Sequence, residues 1–348
     1  MASKKEVSMN YKVITCLRRI GTTAAIACAL CLVLAAASYA QTYTYTTIDV
    51  PGATNTFAYG INNAGQIVGS YSYGPKDQYG HQAQNAFVLS GGNFSTFSYP
   101  GSYYTVAWGI NNPGQIVGTC EVEYYGTFGE CQDFYGVAEG WIKTGNSYVT
   151  VSYPGAISNA TSANGINDGG QVVGQYEAPG GPVYGYLLSG GSYTQVNPFG
   201  SAGSGAFGIN TAGHIAGVYC QGNCALVGFL QSGGNVTTIA VPGASTTYAI
   251  GINNSDDVVG QYTTPSGPYQ GFVWHAGNFV YLSDPLGAEG TQAIGINDAG
   301  QIVGFYIDGS GIYHGFVAAP CPAVGTPGED HLVQCVQPVL DSIPRPPQ

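Results

Sequence analysis

One ten-residue phrase recurs six times along this chain: Gly-Ile-Asn, a short turn, and a small run closed each time by Gly. It reads GINNAGQIVG from Gly60, GINNPGQIVG from Gly109, GINDGGQVVG from Gly165, GINTAGHIAG from Gly208, GINNSDDVVG from Gly251 and GINDAGQIVG from Gly295. A repeat of this length is one supersecondary unit. It cannot bury its apolar face alone, so the copies must stack.

Each repeat holds four strand-like runs. In the first they are 57–61, 66–70, 86–89 and 93–99. Asn62-Asn63-Ala64-Gly65 joins the first two, with Asn bonding its own downstream backbone and Gly taking the left-handed conformation of a tight hairpin. Ser90-Gly91-Gly92 joins the last two. A four-stranded antiparallel unit of about 43 residues, repeated, predicts a β-propeller blade. The first three strands occur six times, but only five fourth strands follow them. The missing one precedes the first repeat, at 45–50. The expected fold is therefore all-β: a six-bladed propeller of four-stranded antiparallel blades, closed by the N-terminal strand, over residues 41–319. Closure protects edges that an open array would expose.

Residues 1–40 differ in kind. Lys4, Lys5, Lys12, Arg18 and Arg19 precede the apolar, small-residue run 20–37, and Ser38-Tyr39-Ala40 ends in small residues. This predicts a secretory signal peptide cleaved after Ala40. No later segment approaches the length of a membrane span. Of the 19 acids only Glu6 lies before residue 41, and only Lys76, Lys143 and Arg345 are basic beyond it, so the exported part carries a formal −15. Such a surface repels phosphate backbones and anionic lipid, which argues against nucleic-acid and membrane-surface partners. Six cysteines remain, in three near-neighbour pairs: Cys120 with Cys131, Cys220 with Cys224, and Cys321 with Cys335. An even count in an exported chain predicts three disulfides. No His or further Cys stands at metal-ligand spacing, so no metal and no cofactor are expected. Residues 320–348 read as a Pro-rich tail.

The start of the third strand carries the triplets Asn85-Ala86-Phe87, Glu139-Gly140-Trp141, Tyr184-Gly185-Tyr186, Val227-Gly228-Phe229, Gln270-Gly271-Phe272 and His314-Gly315-Phe316. Over roughly 45–318 the chain resembles the HAF-type extracellular repeat proteins of bacteria, named for a His-Ala-Phe triplet at this place. The resemblance implies secretion and a propeller-like fold, and implies no particular activity.

Successive Gly-Ile-Asn motifs lie 49, 56, 43, 43 and 44 residues apart. The extra length falls between the second and third strands, where Gly69 to Ala86 takes 17 steps, Gly118 to Gly140 takes 22, and each later repeat 11. Insertions on one face of a repeat protein mark a binding face. Tyr73, Tyr79, Tyr124, Tyr125, Phe134, Tyr135, Tyr184, Tyr269 and Tyr313 lie in or beside these loops and are the candidate binding residues. Their aromatic faces and phenol groups suit sugar rings or peptide. The bland reading of the same residues is that Tyr tolerates half-buried strand ends. The expected function is a secreted, non-enzymatic propeller that recognises a glycan or protein. One alternative is a polysaccharide-active hydrolase or lyase using loop carboxylates such as Glu121, Glu123, Asp133 or Glu139. The other is a structural envelope or matrix component. No nucleophile, base and orienter stand together in the sequence, so no catalytic residue is assigned. Asp168, Asp298 and the pair Asp256-Asp257 are read as turn chemistry, not calcium ligands. Asn93, Asn159, Asn235 and Asn253 begin glycosylation sequons.

Overall fold

The computed structural model describes residues 42–76, 82–122, 139–157, 160–222 and 224–321. Every strand lies in one unit that begins at Tyr43. The first, β1 (Tyr43–Ile48), stands apart in sequence. Repeat one comprises β2 (Asn55–Ile61), β3 (Ile67–Tyr73), β4 (Ala83–Ser90) and β5 (Asn93–Phe97). Repeat two comprises β6 (Ser102–Ile110), β7 (Ile116–Val122), β8 (Glu139–Thr144) and β9 (Ser147–Val151). Repeat three has β10 (Thr161–Ile166), β11 (Val172–Glu177), β12 (Val183–Ser189) and β13 (Ser192–Val196). Repeat four has β14 (Ser204–Ile209), β15 (Ile215–Gln221), β16 (Ala225–Ser232) and β17 (Asn235–Ile239). Repeat five has β18 (Thr246–Ile252), β19 (Val258–Thr263), β20 (Gln270–His275) and β21 (Asn278–Leu282). The sixth has three strands, β22 (Gly290–Ile296), β23 (Ile302–Ile307) and β24 (Tyr313–Pro320).

The architecture is all-β, and consecutive strands within a repeat pair antiparallel. β1 pairs with β24, from Tyr43 opposite Pro320 to Ile48 opposite Gly315. The chain therefore keeps its pattern to Pro320, one residue beyond the expected boundary. Single parallel bridges, Gln84 to Tyr104 and Glu139 to Thr161, link the first three repeats into one twelve-stranded sheet.

The repeat's residues now have separate jobs. The Gly that ends the small apolar run faces the third-strand aromatic: Gly69 pairs with Phe87, Gly118 with Trp141, and Gly304 with Phe316. A Cβ on Gly69 would stand 1.9 Å from the Phe57 carbonyl oxygen and 2.8 Å from the Phe87 ring. All six third-strand aromatics, Phe87, Trp141, Tyr186, Phe229, Phe272 and Phe316, are fully buried. Each anchors a core cluster formed between one repeat and the next. For example, Val68 and Ala86 of repeat one pack with Ile110, Ile116 and Trp141 of repeat two. The cluster at Phe87 combines Val303 of repeat six with Ile48 of β1, so the last repeat packs on the first. Burying one such ring stabilises by about 2–3 kcal/mol.

The Asn of each Gly-Ile-Asn is 3–4 % exposed. Its Oδ1 accepts from its own turn, as in Asn62 to the N–H groups of Ala64 and Gln66. Its Nδ2 donates to the carbonyl of the corresponding Asn one repeat on. The series runs Asn62 to Asn111, Asn167, Asn210, Asn253, Asn297 and back to Asn62, at 2.9–3.3 Å. This use of the side chain removes Asn253 as a glycan acceptor. Asp168 and Asp298 also act between repeats and not within their own turns. Asp168 accepts from Asn112, and Asp298 from Asn63 and Asn254. Burial works against charge on Asp298, but the Asn254 backbone N–H and the Asn63 and Asn254 amides outweigh it and hold the carboxyl below its ordinary value.

Candidate functional site

The Gly-Ile-Asn strands β2, β6, β10, β14, β18 and β22 contact one another in order, and β22 contacts β2. They surround an axial cavity of about 590 Å³. What projects into it is set by one backbone irregularity repeated six times. Each of these strands shifts register between the Ala at the strand centre and the Gly of the motif, as between Ala58 and Gly60. The skipped residue is the one just before Gly-Ile-Asn. A bulge adds a residue and re-aims its side chain. Those six residues, Tyr59, Trp108, Asn164, Phe207, Ile250 and Ile294, all line the cavity. The motif glycines permit the approach that encloses it. A Cβ on Gly165 would lie 2.4 Å from the Phe207 carbonyl oxygen, and one on Gly295 2.6 Å from that of Tyr59.

The wall mixes aromatic rings with amides. Tyr59 meets Trp108 at 4.4 Å between ring centroids and stands edge-on to Phe305. Behind them, outside the lining, Phe57 stacks with Tyr59 at 6.0 Å and meets Tyr313 at 5.1 Å. The Trp108 indole N–H donates to Thr119 Oγ1, which fixes the ring plane. Tyr104, Tyr176, Phe207 and Tyr248 add further aromatic lining, and Ser162, Asn164, Gln175, Gln261 and Gln292 place hydroxyl and amide groups among them. Asn164 Nδ2 is held by the Ala206 carbonyl. Gln261 is 7 % exposed and its Oε1 has no hydrogen-bond partner. Among the described residues, Glu177 is the only acid in the lining, and no Lys or Arg is present there. Burial pushes the Tyr59 and Tyr176 phenols well above their ordinary value, so both remain neutral hydrogen-bond donors.

The candidate tyrosines do not gather into one patch. Tyr73 lies against Tyr71 in repeat one, and Tyr184 against Tyr176 in repeat three. Tyr269 belongs to the rim between repeats five and six, where its carbonyl accepts from the Thr291 N–H. None of these four lines the cavity; Tyr313 packs behind the lining ring of Phe305, and Tyr184 behind that of Tyr176. Tyr79, Tyr124, Tyr125, Phe134 and Tyr135 lie outside the described residues, as do Glu123, Asp133, Cys131 and Cys335. Glu139 heads β8, and Glu121 is in β7. Cys220 and Cys224 form a disulfide, and Cys321 is disulfide-bonded as well. Cys120 sits 2 % exposed in β7, within the core between repeats one and two. Among the described residues, no group of three His, Cys, Asp or Glu side chains is arranged to hold a metal.

The loop candidates do not include the residue before each Gly-Ile-Asn, which lines the cavity. That position varies between repeats, from Tyr59 and Trp108 to Asn164 and Ile250, as does the position two residues earlier, from Phe57 and Val106 to Ser162 and Gln292.

No protein-family model matches the chain, and no curated protein does. Among solved structures 84 chains match. A protein of unknown function from Dyadobacter fermentans is 10% identical, with a TM-score of 0.51 over 80% of this chain and 98% of that one. A fungal lectin from Aleuria aurantia, described as a six-bladed β-propeller with a novel fucose recognition mode, is 15% identical, with a TM-score of 0.45 over 79% and 98%. AofleA from Arthrobotrys oligospora is 12% identical, with a TM-score of 0.48 over 81% and 91%. The likeness to the Dyadobacter protein concerns fold alone.

Proposed function

We propose that this chain is a secreted, HAF-type, six-bladed propeller closed by β1, and that it binds an uncharged glycan in its axial cavity. Closure is supported by the pairing of β1 with β24 and by the Asn297 side chain donating to Asn62. Export is supported by the Cys220–Cys224 disulfide, which belongs to an oxidising compartment. Among the described residues, no helix is long and apolar enough to cross a membrane.

The observation that carries the binding reading is a lining that places amides beside aromatic faces. A sugar ring has an apolar face of C–H groups and an edge of hydroxyls. Tyr59 and Trp108 offer flat aromatic area to the first, and Asn164, Gln175, Gln261 and Gln292 offer donors and acceptors to the second. The unpartnered Gln261 Oε1 calls for a donor, which a hydroxyl supplies. Among the described residues Glu177 is the lone acid of the lining and no Lys or Arg joins it, so these residues offer no counter-charge to an anionic ligand.

A glycan array probed with the protein lacking residues 1–40 tests this. Neutral saccharides should bind, and Trp108→Ala should weaken them by about tenfold or more, the usual cost of losing a stacked aromatic anchor. Binding that ignores Trp108, or an array with no neutral binder, rules the site out.

A further inference from the structure

Repeats four and five break the repeat's own rule at two linked positions. Four residues after the motif Asn, repeats one, two, three and six carry Gln, but repeat four carries His214. In repeats two and three that Gln amide donates to a hydroxyl at the end of the third strand: Gln115 to Thr144, and Gln171 to Ser189. His214 keeps the contact with a different chemistry, its Nε2 lying 2.8 Å from Ser232 Oγ. The second break is Asp256, which stands where every other repeat has the turn glycine. It holds a left-handed φ of +61°, as Gly213 and Gly300 do in their turns. This conformation is unfavourable for a side chain with a Cβ. Its Oδ1 reaches back across the repeat boundary to His214 Nδ1, at 2.8 Å, and also accepts from Asn210 Nδ2, at 2.9 Å.

The order of these contacts matters. A carboxylate only accepts, so Asp256 fixes the imidazole proton on Nδ1. Nε2 is then left to accept from the Ser232 hydroxyl. This is the arrangement that turns a serine into a nucleophile. A glutamine in the same place cannot take the proton. Ser232 opens the tight turn Ser232-Gly233-Gly234-Asn235, and the N–H groups of Gly233 and Gly234 make no internal hydrogen bond. They are donors available to an oxyanion.

We propose that Ser232, His214 and Asp256 form an acyl-accepting site for carboxylic esters, on the Gly-Ile-Asn end of the molecule and independent of the axial cavity. Ser232 Oγ attacks the ester carbonyl carbon while its proton passes to His214 Nε2. The ester C–O bond breaks and the alcohol leaves with that proton. Water then attacks the acyl-serine, the acid departs and the serine is restored. None of the three residues lines the axial cavity or the small pocket inside the Asn ring. His214 and Asp256 are 24% and 38% exposed. An open site of this kind suits short acyl groups that project from a larger molecule, such as O-acyl substituents on a polymer.

The test uses the protein lacking residues 1–40, a fluorophosphonate probe and p-nitrophenyl acetate. Peptide mapping should find the label on Ser232, and Ser232→Ala should abolish it. His214→Gln and Asp256→Gly restore the residues of the other repeats, so both should fold with an unchanged or higher Tm. Both should also lose at least about tenfold in labelling and hydrolysis. Absence of label on Ser232, or labelling unchanged in His214→Gln, overturns the proposal. A loss of activity in Asp256→Gly accompanied by a lower Tm does so too, because it would reassign Asp256 to structure.

Discussion

Asn297→Ala tests whether the last repeat is joined to the first as strongly as any neighbours are. Four hydrogen bonds depend on this side chain. Its Oδ1 accepts from the N–H groups of Ala299 and Gln301, and its Nδ2 donates to Gln301 Oε1 and to the Asn62 carbonyl. A net contribution near 1 kcal/mol each gives about 4 kcal/mol, and water reaching the part-buried turn brings the expected loss to about 3 kcal/mol. In a domain of this size that corresponds to a fall of about 6 °C or more in Tm. The control is Asn167→Ala, which removes the same kind of link between consecutive repeats, Asn167 to Asn210. Thermal unfolding followed by near-UV circular dichroism should show similar falls for the two variants. If Asn167→Ala costs about 3 kcal/mol and Asn297→Ala less than about 1, the ring is not continuous at that junction and the closure argument fails.

Two further outcomes follow from packing and charge. Gly69→Ala places a methyl group against the Phe57 carbonyl and the Phe87 ring, so urea unfolding should show a loss of at least about 3 kcal/mol, the upper end of overpacking costs; a change below 1 would mean the ring can move aside. Asp284 is 3 % exposed, its Oδ2 lacks a partner, and burial raises its pKa above the ordinary 3.8. The folded state therefore holds this proton more tightly, and stability is lost as pH rises from 3.8 through the raised value. Asp284→Asn should raise Tm at pH 7 and make little difference near pH 3; an equal effect at both would exclude desolvation as the cause.

The strand plan was legible because its causes are local. Asn62 and Gly65 make a hairpin through contacts three and four residues apart. The Oδ1 half of the Asn chemistry was readable for the same reason. The Nδ2 half was not, since Asn62 reaches Asn111 across 49 residues and Asn297 reaches Asn62 across 235. The axial lining stayed hidden because a bulge breaks the alternation just where the side chain turns inward. Trp108, Asn164 and Ile250 share no chemistry, and a reading built on likeness among repeats passes over such a position. Ser232, His214 and Asp256 are 18 and 42 residues apart and belong to two repeats, so only folding brings them together. The long loops that drew attention in sequence lie largely at 77–81 and 123–138, outside the described residues.

If the propeller closes as proposed, the pairing of Tyr43 with Pro320 leaves the order of repeats without a beginning. The place where the chain is cut becomes a matter of genetics and not of structure. Joining the ends of the described strands by a short linker, and opening the chain at the exposed Gly190-Gly191 turn, would give a circular permutant with the same neighbours at every boundary. By the same logic, removing β1 would leave β24 with an open edge able to accept the first strand of another molecule. A protein lacking those six residues should then take up the β1 strand of an intact copy.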